Sequence, residues 1–185
     1  MSPGSSSKQP RDEHERQSRL AQQTRQQYEV LLGAMHQLEA ALADAAPGRE
    51  PMWLGQVDRM LVSVMNALGV HIAATEDQKD LFAAIDAGWP KLRHRVERLR
   101  QEHGELAELG RALQKQIAEY AADEAIDYQD LRRRAAMVLT VLRHHQAVEN
   151  DLIFETFVTR AGSERLPPPP PKGTGKNPDK LAATQ

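Results

Sequence analysis

Cysteine is absent from the 185 residues. That excludes disulfides, thiolate nucleophiles, thiolate zinc sites and iron–sulfur clusters. It also fits a reducing compartment, so a cytoplasmic location is expected. Aromatic residues make up only 4% of the chain against 40% hydrophobic overall. With few β-branched or aromatic runs there is little from which to build a sheet. Neither sign of charge dominates: 24 Lys and Arg stand against 26 Asp and Glu, for a net charge of −2. No basic footprint for nucleic acid or an anionic membrane follows from that balance, and neither is expected as a partner. No apolar run reaches the roughly 18 residues of a membrane-spanning helix, and "MSPGSSSKQPRDEHERQSR" lacks the apolar centre of a signal peptide.

What is present is Leu, Ala, Val and Met at helical spacing, over a length that suggests one domain. Four helices are expected. The first runs from about 14 to 45, with Tyr28, Leu31, Met35, Leu38 and Leu42 as its apolar stripe. "AAPGREP" ends it. The second starts within 52–58 and carries Met60, Val64, Leu68, Phe82 and Ile85, up to "DAGWP" at 86–90. Pro90 can open the third helix, which carries Leu92, Val96, Leu99, Leu106, Leu109, Leu113 and Ile117. The fourth starts near Asp127 and runs to about Arg160. Four stripes joined by short connections predict an all-α, up-down-up-down four-helix bundle over 14–160. Residues 1–13 and 161–185 read as disordered tails. Pro167 to Pro171 would form a short polyproline II rod, either a stiff solvated tail or a ligand for an SH3-like partner. "GTG" at 173–175 follows no strand and is not read as a phosphate loop.

Seven histidines are distributed along the chain. His14 receives no role. His71, His103 and His145 share the apolar faces of their helices, and His36 is assigned to the core face beside Leu31, Met35 and Leu38. His94 should face outward, and His144 should lie at an edge. One core histidine per helix is hard to explain as packing. Each buried polar group left unpaired costs roughly 1–3 kcal/mol, against a net stability of only about 5–15 kcal/mol. The levels can be counted from the connections. His71 lies 17 residues before Gly88 and His103 lies 15 after it. His103 and His145 each lie 21 from Glu124. His36, 11 before Pro47, matches His71, 20 after Pro51, only if the segment after Pro51 is irregular for a turn or two. Glu149 follows His145 by four residues and faces the same way. Imidazoles with carboxylate at one level suit iron, with manganese or zinc as other candidates. A second carboxylate would have to come from Glu76 or Asp77. Thr75 occupies the i+4 position after His71, and "TEDQ" has the form of a capping box. A local opening there favours Glu76.

These stretches resemble the hemerythrin-like (HHE cation-binding) family. "LRHHQAVENDLIF" is similar to the family's fourth helix, "LRQEHGELAELGRAL" to its third and "LLGAMHQLEAAL" to its first. "LGVHIAATEDQKDLF" is similar to its second, with about two extra residues before "LF". The resemblance covers roughly residues 20–160. It implies a four-helix bundle around a non-haem di-iron centre, with His36, His71, His103 and His145 as ligands and Glu149 and Glu76 as bridges. Two positions depart from it. Ala107 stands where the oxygen carriers have a second third-helix histidine, and the carboxylate after His71 is displaced. One fewer ligand implies a more open iron that takes O2, NO or peroxide, in sensing, stress response or iron and redox regulation rather than dedicated oxygen carriage. The alternatives are a metal-free helical interaction module and a weak di-iron peroxidase.

Overall fold

A computed structural model describes residues 9–44, 48, 50–77, 81–122 and 127–158. Pro167–Pro171 and the rest of 161–185 lie outside the described residues, as do residues 1–8. The long helices are α1 (Gln9–Ala43), α2 (Glu50–Glu76), α4 (Arg93–Ala122) and α5 (Tyr128–Ile153). A short helix, α3 (Leu81–Gly88), and a 3-10 turn (Pro90–Leu92) link α2 to α4. A π-helical turn, Phe154–Val158, extends α5. No strand occurs among the described residues.

Local chemistry accounts for the boundaries. Gly48 adopts φ 78°, a left-handed conformation that glycine takes without steric cost, and its N–H donates to Glu50 Oε1 at 2.8 Å. Pro51 falls in the first turn of α2, where its missing N–H is harmless. The second helix therefore begins before Pro51, and "PMWLGQ" is regular helix rather than the expected irregular segment. Asp127 caps α5, its Oδ1 accepting from Gln129 N at 3.0 Å and Asp130 N at 2.9 Å. The second apolar stripe is divided. α2 continues through Thr75 to Glu76, and Phe82 and Ile85 belong to the separate α3. Thr75 is not a cap, since its hydroxyl donates back to the His71 carbonyl at 3.0 Å.

The four long helices pack in a ring, α1 on α2, α2 on α4, α4 on α5 and α5 on α1. α3 lies across α1, α2 and α4. Two apolar clusters fill the interior. The larger holds Leu38, Leu42, Trp53, Val57, Leu61, Leu113, Ile117, Leu131 and Ala135, towards the α1–α2 and α4–α5 connections. The smaller holds Tyr28, Leu81, Phe82, Ile85, Val96, Leu99, Leu152 and Ile153, under α3. Each fully buried large side chain contributes about 1.5–3 kcal/mol, so both clusters hold the bundle together. By length and composition alone, the stretch Glu50–Gly88 would pass as a membrane span. Its Trp53, Val57, Leu61, Val64 and Leu68 are turned into the larger cluster.

Candidate metal centre

Between the two apolar clusters lie His71 from α2, His103 from α4, and His145 and Glu149 from α5. All four are buried, His71 and Glu149 with 0% exposure. The His103 and His145 ring centroids are 4.6 Å apart, those of His71 and His103 5.3 Å, and those of His71 and His145 6.2 Å. One donor atom from each of the four residues falls within 4.8 Å of the others. The equal-level counts across Gly88 and Glu124 thus hold in three dimensions.

Two rings are held from behind. His103 Nδ1 lies 2.6 Å from Glu76 Oε1, and His145 Nδ1 lies 3.0 Å from Glu102 Oε2. Glu102 is anchored in turn by Arg98 Nε at 3.0 Å. A carboxylate on Nδ1 draws the ring proton to that nitrogen and leaves the Nε2 lone pair free in the neutral imidazole. Carboxylate-backed histidines of this kind orient metal-ligating rings and raise their basicity. Phe82 stacks on the His103 ring, centroids 5.7 Å apart and 17° between planes, and fixes its tilt.

The inner atoms are left without partners. His103 Nε2, His145 Nε2, both nitrogens of His71 and Glu149 Oε1 are buried and accept or donate no hydrogen bond. Glu149 Oε2 sits 3.0 Å from His71 Nε2 and 3.5 Å from His145 Nε2, ion-pair distances without hydrogen-bond geometry. Its one hydrogen bond comes from the Tyr28 hydroxyl, whose ring centroid lies 4.9 Å from that of His71. Such orphans cost about 1–3 kcal/mol each unless something fills the space between them. Three imidazole nitrogens and a carboxylate oxygen form a donor set that suits a first-row transition metal ion.

In the metal-free chain, burial and the neighbouring charges shift these groups in different directions. Burial raises the Glu149 carboxyl, but the His145 and His71 contacts outweigh it and hold it down to about 2. The group is an anion at neutral pH. Burial, with the charge of His145 beside it, pushes His103 down to about 4, which favours the neutral ligand form. Burial also lowers His145, but Glu149 and Glu102 more than offset it and raise its pKa. Burial and the Glu149 charge raise the Tyr28 phenol. With no ion present, Tyr28 stays protonated and donates.

Two expected ligands lie elsewhere. His36 is exposed on α1, one step from the buried Met35 and off the Leu31–Met35–Leu38 line, so its assignment to the core face is corrected. α1 presents Tyr28 at the level of the centre instead. The connection count carried that signal, for Tyr28 lies 19 residues before Pro47 and His71 lies 20 after Pro51. Glu76 is not among the converging donors. Its carboxylate holds the outer nitrogen of His103, an orienting contact rather than a bridge. Asp77 is exposed. Thr75 is buried at the position where a glutamate was expected, and its hydroxyl is occupied by the helix backbone. His94 and His144 are exposed. Sequence reasoning missed Glu102, whose position one before His103 conceals that it serves the ring of the next helix.

A ring of four long helices enclosing a buried imidazole–carboxylate cluster defines a candidate cation-binding bundle. The model of the hemerythrin HHE cation-binding domain matches residues 11–157, and the chain belongs to that family. No curated protein and no solved structure matches it.

Proposed function

We propose that this chain binds a single iron ion through His71, His103, His145 and Glu149, leaving a position open to O2, NO or peroxide. The observation that carries the reading is the set of buried inner atoms without partners, two of them on rings whose outer nitrogens are held by carboxylates. When bound, iron would supply an electrophilic, redox-active position. The protein's part is to aim the rings of His103 and His145 through Glu76 and Glu102, keep Glu149 ionised and limit water with Tyr28, Phe82 and Leu99, all buried.

A two-iron centre bridged by two carboxylates needs a partner for Glu149. Among the described residues Thr75 occupies the position that would supply it, and Glu76 would have to leave His103. Those contacts favour one ion. An open position on one ion suits sensing, stress response or iron and redox regulation in the cytoplasm better than reversible oxygen carriage. A role for the Pro167–Pro171 segment in docking an SH3-like partner is part of the same proposal.

Iron analysis with ferrozine and an absorption spectrum on the purified chain test it. One iron per chain without oxo-bridge bands in the near ultraviolet is the expected result. Two irons with those bands would restore the bridged pair, and a chain that takes up no iron, manganese or zinc would leave a metal-free interaction bundle.

A further inference from the structure

We propose that Tyr28 is a fifth protein ligand, binding ferric iron through its phenolate oxygen. The inference rests on the reading above that His71, His103, His145 and Glu149 hold an ion. Among the described residues, α2, α4 and α5 each supply a nitrogen donor to the cluster and α1 supplies none. Yet α1 places a polar group against the cluster, the hydroxyl of Tyr28, a residue only 5% exposed. Its hydrogen-bond partner is Glu149 Oε2, itself in ion-pair contact with His71 Nε2 at 3.0 Å. The phenol oxygen therefore touches the carboxylate of the centre, and its ring lies against the histidine of α2.

Packing alone would be met by phenylalanine, which carries no hydroxyl to satisfy in a core. Charge supplies the reason for the oxygen. Three neutral imidazoles and one carboxylate leave a trivalent ion with an excess of two positive charges in a buried site, and a phenolate removes one of them. Tyrosine oxygen is an established donor to iron in proteins. In the binding step the Tyr28 O–H bond breaks, an iron–oxygen bond forms, and the proton leaves to solvent. No electron is transferred. Glu149 Oε2, no longer accepting from the phenol, would be free to bind the ion.

The experiment compares the intact chain with Tyr28→Phe and Tyr28→His, each loaded with ferric iron and checked for iron content and melting temperature. The intact chain should show a broad visible charge-transfer band, with tyrosinate ring modes enhanced when Raman scattering is excited within it. Both variants should keep iron and lose the band. If Tyr28→Phe fails to fold, Tyr28→His carries the comparison, because a nitrogen donor can take the same position. An intact chain that binds iron without the band, or a band that survives in the variants, overturns the tyrosine ligand and leaves the four-residue centre standing. An intact chain that binds no iron overturns both.

Discussion

The two ends of the bundle solve the same packing problem with opposite consequences. At the end near the α1–α2 connection, Trp53 is buried, with the Arg132 guanidinium 5.0 Å above its ring and Tyr128 edge-on at 5.5 Å. At the other end Phe82 is buried, with the Arg100 guanidinium 5.6 Å above its ring. Each aromatic thus fills the core and is covered by an arginine. The difference lies in what the ring faces. Trp53 has a single polar atom, and it donates to the Ala41 carbonyl at 2.8 Å. Phe82 faces His103, whose inner nitrogen has no partner. At the first end the indole nitrogen is committed to the fold. At the other the inner histidine nitrogen is held in reserve at a cost in stability, as sites prepared for a ligand do.

The largest expected effect tests whether the ends are independent. Trp53→Ala should lower stability by about 3–5 kcal/mol, the usual cost of emptying a large aromatic site. Iron bound per folded chain should not change, because Trp53 packs in the larger cluster and the donors lie beyond it. Melting curves with parallel iron analysis measure both. Loss of iron at a temperature where the variant is still folded would show that the closed end holds the donors in position, and the comparison would fail.

Next in size is Glu149→Gln, which keeps the shape and removes the negative charge. Affinity for ferrous iron or zinc should fall about 100-fold or more, which is at least ~2.7 kcal/mol of binding. The metal-free melting temperature should move far less than for Trp53→Ala, since the amide oxygen can still accept from Tyr28. Titration calorimetry with zinc and a melting curve without metal separate the two. Equal affinity in variant and parent would remove Glu149 from the centre.

Glu76→Gln should weaken zinc or iron binding by about 10–100-fold, the range found when a group backing a ligating histidine is lost. Asp77→Asn should leave affinity unchanged. The same titration reads both. A larger loss than Glu149→Gln, accompanied by a drop from two ions to one, would make Glu76 a bridge after all.

Much of this arrangement was legible because helix periodicity and chain connection constrain each other. Val141, Leu142, Val148 and Leu152 set the inner face of α5, and His145 and Glu149 share it. Distance from Gly88 and Glu124 then placed His71, His103 and His145 at one level. What escaped was decided by smaller angles and by contacts between helices. His36 is about 100° from Met35, enough to turn it outward beside an otherwise correct stripe. Tyr28 counted as apolar because periodicity registers the ring and not the hydroxyl. Glu76 and Glu102 act on rings that belong to other helices, α4 and α5. No spacing within one helix reports a contact across two.

The smallest expected effect is the sharpest check on that correction. His36 is exposed and lies eight residues beyond Tyr28, about 12 Å along the helix at 1.5 Å per residue. A side chain there cannot reach the His71–His103–His145 cluster while Tyr28 remains in contact with Glu149. His36→Ala should therefore change stability by no more than about 0.5 kcal/mol, the range of ordinary surface substitutions, and leave iron content as in the parent. His94→Ala should behave the same way, its ring being exposed beside the Lys91 carbonyl at 3.1 Å. His103→Ala, measured alongside, should lose the metal. If His36→Ala loses iron instead, α1 must slide by about two turns when the ion binds and draw Tyr28 out of the centre. The open end of the bundle would then be built on loading rather than prepared beforehand, and the contrast with the Trp53 end would describe only the metal-free chain.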